Sequence, residues 1–167
     1  MIADPDLYVL FLDCHRTFEY VDGKLFRRVR TSNRINPGDP AGYPNMYGYL
    51  LVRLNNMTHR LHRLIFLMCH GYLPEQVDHI NGVKDDNRID NLRAATASQN
   101  KHNVSLISTN SSGFKGVHWN KSVGKWRAGC CFKNKYVHLG YFESIEDANI
   151  AAINGREKYH GEFANHG

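Results

Sequence analysis

Every apolar run in this chain is short, and turn-forming residues separate many of the runs. Residues 18–26 read FEYVDGKLF, two aromatic and apolar stretches around Asp22-Gly23, a pair suited to the positive φ angles of a tight hairpin turn. Residues 47–54, YGYLLVRL, run into Asn55-Asn56 and predict a second hairpin. The stretch between them, residues 27–43, is rich in Arg, Asn, Gly and Pro and reads as an exposed loop. At residues 59–70 the period changes: Leu61, Leu64, Ile65 and Met68 fall on one helical face, and Gly71 stands where such a helix stops. Short hairpins mixed with short helices predict an α+β chain.

Downstream the order is strand, loop, strand, helix. Residues 76–80 form the first strand, a polar loop runs to Asn91, and residues 92–95 form the second strand. Thr96-Ala97-Ser98-Gln99 is a capping box, in which Thr96 and Gln99 satisfy the free backbone donors of a helix start. Residues 104–113, VSLISTNSSG, are rich in Ser, Thr and Asn and mark a domain boundary. Beyond it, FKGVHWN, KWRAGCCF and KYVHLGYF predict a three-stranded antiparallel sheet. Ser144-Ile145-Glu146-Asp147 opens a helix whose packing face is Ala148, Ala151, Ala152, Gly155 and Tyr159. A core of about 55 residues is near the lower limit for independent folding. The organisation expected is therefore residues 1–103 with the two hairpins, a linker at 104–112, and a small sheet-plus-helix domain at 113–167.

Charge suggests the partner. The formal net charge is +5, and residues 101–142 carry seven basic residues and no acid. The acids gather at 78–90 and 143–162. A bland surface intersperses the signs, so this separation favours a segment facing nucleic acid. The four cysteines form no CxxC pair, which removes the usual zinc clamp. Cys130 and Cys131 point to opposite faces of a strand, and reduced thiols fit a cytosolic protein. No stretch approaches the length of a membrane span, and the N-terminus lacks a secretory pattern, so a cytoplasmic location is expected.

Phosphodiester cleavage needs a base near neutral pH and a hard cation to stabilise charge on the phosphate and the leaving oxygen. A carboxylate beside a histidine at a strand end supplies both at one place, and Asp78-His79 has that form. Adjacent strand residues point to opposite sides unless a twist or bulge turns one, so the pair must diverge from ideal geometry. A second ligand with a neutral oxygen is expected nearby. Asn100, in the first turn of the helix capped by Thr96, meets that need where the helix field favours phosphate oxygens. Asn91 is expected to hold the loop by hydrogen-bonding its backbone. Taken singly, Asp78, Asn81, Asp85 and Asp86 are a solvated turn and His79 a core histidine; taken with the spacing and the capped helix, they form a catalytic set.

At these residues the sequence resembles a known family. Val77-Asp78-His79-Ile80-Asn81-Gly82, Asp86-Asn87, Asn91-Leu92-Arg93, Thr96 and Asn100 resemble the HNH motif of phage and intron-encoded homing endonucleases. His62-Arg63-Leu64 resembles the segment that precedes the motif in that family. The resemblance implies a ββα-metal fold holding one divalent ion, magnesium or manganese. Asp78 and Asn100 would then be its ligands, His79 the general base, and Asn91 the support of the loop. Asn in the last motif position suits magnesium's preference for oxygen and argues against the branch that binds its ion with two histidines.

The C-terminal strands alternate basic and aromatic residues: Lys115, His118, Trp119, Lys121, Lys125, Trp126, Arg127, Lys133, Lys135, Tyr136 and His138. Cations neutralise phosphates, and a small ribbon of strands fits the major groove. Gly116-Val117, Trp119, Lys125-Trp126-Arg127-Ala128, Leu139-Gly140-Tyr141-Phe142 and His160-Gly161-Glu162-Phe163 resemble the Apetala-type DNA-binding domain of plant ethylene-response factors. That resemblance implies a sheet in the major groove with the helix behind it. The first strand has fewer arginines than the plant domains. Lys125 and Arg127 share one face and are the foremost candidate contacts, followed by Lys115, His118, Lys121, Lys133 and Tyr136. Trp126 and Phe142 belong to the core, and Trp119 fits either role.

The expectation is an endonuclease that nicks or cuts double-stranded DNA at preferred sites, acting as a monomer or a homodimer, in the host cytoplasm if a phage encodes it. A catalytically inactive DNA-binding regulator is the alternative, and an RNA-directed activity lacks an aromatic platform for single strands. Among the first 55 residues, His15, Arg16, Arg27, Arg28 and Arg30 carry charge suited to phosphates, with a solvated hairpin face as the ordinary reading.

Overall fold

The structure is a computed structural model that describes residues 2–106 and 109–167. The chain divides into two compact units, Met1–Ala95 and Thr96–Gly167. Both are mixtures of helices and small antiparallel sheets, as an α+β chain requires. Among the described residues, no helix is long and apolar enough to cross a membrane.

The first unit opens with a helix the sequence reading does not predict, α1 at Pro5–Thr17. Its start follows ordinary capping rules: Asp4 Oδ1 accepts hydrogen bonds from the backbone of Asp6 and Leu7, and Pro5 occupies the first turn. Its apolar residues run around the cylinder, leaving Tyr8, Val9 and Leu12 exposed, so no clean stripe reveals it. Strands β1 (Phe18–Val21) and β2 (Lys24–Arg27) form the expected hairpin. Asp22 and Gly23 both have positive φ, at 43° and 80°. Strand β3 (Pro40–Ala41) adds to β2 from within the segment expected to be loop.

Strands β4 (Tyr43–Pro44), β5 (Leu50–Leu54) and β6 (Met57–Arg60) make a second sheet, turned at Asn55-Asn56. The helix expected here, α2, spans Leu61–His70 and ends at Gly71 with φ 72°. Strands β7 (Gln76–His79) and β8 (Leu92–Ala95) pair antiparallel and place Asp78 opposite Arg93. One core unites these pieces: Cys14, Phe18 and Leu25 pack with Val52, Leu61, Leu64, Ile65, Val77 and Leu92.

In the second unit the short helix α3 (Ala97–His102) carries the capping box complete, with Thr96 Oγ1 accepting from Gln99 N and Gln99 Oε1 accepting from Thr96 N. Strands β9 (Val117–Asn120), β10 (Lys125–Phe132) and β11 (Lys135–Phe142) form a sheet with β10 in the centre. Helix α4 (Ile145–His160), capped by Ser144, covers one face with Ala148 and Ala152 against Val117 and Ala128. Small residues let helix and sheet approach closely. Gly155 is the extreme case, because a Cβ there would lie 2.3 Å from Leu139 Cδ1.

An alanine in an open helix is favoured over glycine by about 1 kcal/mol, but at Gly155 the displaced Leu139 outweighs that gain. Gly155→Ala is expected to destabilise the second unit by about 1–2 kcal/mol, read as a lower midpoint in urea with an unchanged slope. A stability equal to or above wild type would contradict this packing.

Candidate active site

The strands β7 and β8 bring the ends of an otherwise irregular loop together, and side-chain amides do the rest. Asn91 Oδ1 accepts from the backbone N–H of Asn81 at 3.0 Å. Its Nδ2 donates to Asn81 Oδ1 at 3.0 Å and to the carbonyl of Asp86 at 2.7 Å. The Asn91 carbonyl also accepts from Ile80 N at 2.9 Å. Asp86 takes a hydrogen bond from Asn81 Nδ2 and a two-pronged bond from Arg88, and these hold its carboxyl far below the usual carboxylate range.

Asp78 and His79 are both buried where β7 enters this loop. Asp78 Oδ2 accepts from Arg93 Nε at 2.9 Å and from its Nη2 at 2.8 Å. His79 Nε2 lies 2.9 Å from Asn87 Oδ1. The amide of Asn87 is oriented by its own Nδ2, which donates to the Asp85 carbonyl at 3.2 Å. An amide oxygen only accepts, so Nε2 of a neutral His79 carries the proton and Nδ1 is the basic nitrogen.

Three residues around His79 were not assigned roles by sequence reasoning. Asn87 is 1% exposed and sets the tautomer. His62 on α2 meets the His79 ring edge-on at a centroid distance of 4.8 Å. Tyr49 lies 5.4 Å from His62 and 6.1 Å from His79. Arg60 and Lys84 sit over the Tyr49 ring at 4.9 and 5.2 Å. Asn87 stands in the motif and His62 in the segment that precedes it, but their contacts join residues that are not neighbours in sequence, so spacing alone gives them no task.

The first hairpin supports the loop from outside. Tyr20 Oη accepts from the backbone N–H of Ile89 at 3.0 Å. The hairpin tip presses so closely that a Cβ on Gly23 would lie 2.8 Å from Arg88 N.

The catalytic residues expected from sequence thus fall in two places. Asp78, His79 and Asn91 stand together in the first unit, whereas Asn100 lies on α3 of the second, in its first full turn, with its N–H on the Thr96 carbonyl. Among the described residues, no group of three or more His, Cys, Asp or Glu side chains is arranged to hold a metal ion.

The expected DNA contacts belong to the second unit and are spread over its sheet. Arg127 is paired with His118 on one side and Tyr141 on the other, and its guanidinium lies 5.0 Å from the Tyr136 ring. It alternates with Trp126 and Ala128, which pack towards α4, so it faces away from the helix. Lys125 forms an exposed ion pair with Glu143 at 2.8 Å. Trp119 stacks edge-on with Trp126 at 5.2 Å, at the margin of the core. Lys121 and Lys133 sit in the two turns of the sheet. Lys115 has a different environment: its ammonium donates to the carbonyls of His102, Val104 and Asn165, and burial pushes its pKa down to about 8.

His62 gives the site a pH signature. Burial, aided by His79, Arg60 and Arg63, pushes its pKa down to about 3. A histidine depressed in the folded state favours folding while neutral, and its contribution is lost as pH falls from the unfolded value of about 6.5 towards the folded one. The melting temperature is therefore expected to fall between about pH 6.5 and about pH 4, less steeply in His62→Leu. Equal slopes in both proteins would show that His62 does not carry the effect.

Residues 59–102, from β6 through α3, match the HNH endonuclease family. The chain is 30% identical over 109 residues to Protein 3.8 of Escherichia phage T7, an alignment covering 63% of this chain and 88% of that protein. No solved structure matches significantly. With that relative matched over most of its length, the chain belongs to the family of phage T7 Protein 3.8 and contains an HNH endonuclease domain at residues 59–102.

Proposed function

We propose that this protein is a divalent-metal-dependent endonuclease of the homing type that nicks or cuts double-stranded DNA at preferred sites in the cytoplasm. The observation that carries the reading is the orientation of His79. Asn87 accepts from Nε2, which makes Nδ1 the proton acceptor at the strand end where Asp78 sits. In the reaction, Nδ1 takes a proton from water as the water oxygen forms a bond to phosphorus. The phosphorus–oxygen bond to the leaving sugar breaks, and that oxygen leaves with the electron pair and then takes up a proton. Asn91 keeps the loop closed so that Asn87 stays against His79.

The donor chemistry fits a hard cation. Asp78 offers a carboxylate and Asn100 an amide oxygen, with no thiolate in the set, and oxygen donors suit magnesium or manganese. These two residues would hold one ion, which supplies stabilisation of the charge that develops on the phosphate and the leaving oxygen. Arg93 already pairs with Asp78 and fixes the direction of its carboxylate. We assign the nuclease domain to residues 1–103, with 104–112 as linker. One active site per chain suits nicking by a monomer, and cutting both strands requires a homodimer or repositioning.

We also assign residues 113–167 as an Apetala-type DNA-binding domain. The face opposite α4 supports this, because Arg127 is ringed by His118, Tyr136 and Tyr141, a cation set among hydrogen-bonding aromatics. Lys121 and Lys133 add charge at its ends, and Lys125 shares its charge with Glu143.

Supercoiled plasmid with the protein and magnesium is expected to become relaxed or linear, and EDTA is expected to block this. His79→Ala should lower the rate by about 10²–10⁴-fold while leaving DNA binding intact. Full binding with no cleavage of any DNA, including the genome that encodes the protein, would instead establish a binding regulator. Separately, Arg127→Ala is expected to weaken duplex binding by about tenfold, equivalent to about 1.4 kcal/mol, with an unchanged circular dichroism spectrum. Unchanged affinity would remove the sheet face from the interface.

A further inference from the structure

The first unit carries a groove whose lining residues all lie outside the HNH segment, with a volume of about 510 Å³. Arg16 from the end of α1, Arg27 from β2 and Arg53 from β5 line it, and among the described residues no Asp or Glu does. Thr31, Ser32, Asn55 and Asn56 add neutral hydrogen-bonding groups to its lining, which also includes the buried Thr17 and Leu54.

The groove is built from several segments. Arg28 Nε donates to the Phe18 carbonyl at 2.9 Å, and Arg30 donates to the carbonyls of Ser32 and Asn33, so these two arginines shape the loop. An isolated bridge between Ser32 and Ile35 closes it. Asp13 fixes the opposite wall: one of its oxygens pairs with Arg16 at 2.8 Å, and the other accepts from Asn55 Nδ2 at 2.6 Å. The Arg27 guanidinium lies 4.9 Å from the Phe18 ring. Three cations thus line one cleft, and one of them, Arg16, is paired with Asp13.

A polyanion lying along the cleft would meet cations from three elements of the fold. Guanidinium groups fit phosphate oxygens with two parallel hydrogen bonds, and hydroxyl and amide groups complete contacts of a kind that carry no sequence information. An open, polar cleft lined by cations suits a backbone passing through it better than a small ligand enclosed on all sides. The geometry points to a phosphate-binding groove for the backbone of duplex DNA, formed by Arg16, Arg27 and Arg53. It gives the nuclease unit a DNA contact of its own, independent of the sheet in the second unit. The identity of the polyanion rests on the proposed DNA cleavage.

The test uses the full chain, in EDTA to prevent cleavage, with a fluorescein-labelled duplex followed by anisotropy at salt concentrations between about 50 and about 200 mM. Neutralising Arg16→Gln with Arg53→Gln is expected to weaken binding about tenfold at the lower salt, equally for unrelated sequences. The slope of log affinity against log salt should become shallower by about 1–2. Arg16→Lys with Arg53→Lys retains both charges and is expected to keep the wild-type slope. The assignment is overturned by a glutamine variant that melts like wild type and stays within twofold in affinity, by a lysine variant as defective as the glutamine one, or by a loss confined to duplex RNA of the same sequence. Wild-type DNA binding with unaffected variants removes the groove alone, whereas a wild-type chain that neither binds nor cuts DNA removes the nuclease reading.

Discussion

The side chain of Asn91 makes three hydrogen bonds within one loop, and the geometry of the candidate site follows from them. A segment with no regular structure loses its conformational freedom on folding and must be repaid by contacts along its length. Here the compensation is local and polar. Asn91 ties Asn81 to the carbonyl of Asp86, Asp86 ties Asn81 to Arg88, and the residue between them, Asn87, is carried inward to the ring of His79. An alanine in place of Asn91 would leave the Asn81 N–H, the Asp86 carbonyl and the Asn81 side chain to find new partners. The buried core supplies the wall and the amide supplies the shape.

The parts of this arrangement that could be read from the sequence are those decided by near neighbours. Tight turns announce themselves through Asp22-Gly23 and Asn55-Asn56, and the capping box through Thr96 and Gln99, because the backbone angles and donors involved lie within four residues. The stripe of Leu61, Leu64 and Ile65 places α2 for the same reason. Helix α1 escapes that logic, since its apolar residues do not keep to one face and its only clear signal is Asp4-Pro5 at the start. The role of Asn87 escapes it too, because the bond to His79 is settled by how the whole loop folds back. The set Asp78, His79 and Asn91 was legible from the motif. What spacing could not supply was their surroundings: Arg93 across the strand pair, His62 from α2, and Tyr20 from a hairpin far upstream.

The second unit shows how a basic composition can conceal two unlike uses of charge. Arg127 is displayed on a sheet face beside Tyr136, but Arg156 is 1% exposed on the helix side. Its Nη1 donates to the Lys115 carbonyl, its Nε lies 3.4 Å from His166 Nδ1, and its Nη2 has no hydrogen-bond partner among the described residues. Lys115 in turn spends its ammonium on three carbonyls that link residues near the start and end of the unit. In a domain this small the apolar core is thin, and these two cations bind irregular backbone where a larger protein would use buried hydrocarbon. Counting positive residues along the sequence groups Lys115 with Arg127 as contacts to nucleic acid. Only their environments separate the fasteners from the displayed charges.

The wedge of the first hairpin against residues 87 and 88 has a consequence for synthesis. Units generally fold in the order in which they leave the ribosome. The hairpin leaves the ribosome well before the loop it supports. Asn100 is made only after both strands of that site, so a chain interrupted at the boundary between the units would contain His79 without the last of the motif residues. Translation order therefore separates His79 and its bracing hairpin from the last residue of the motif.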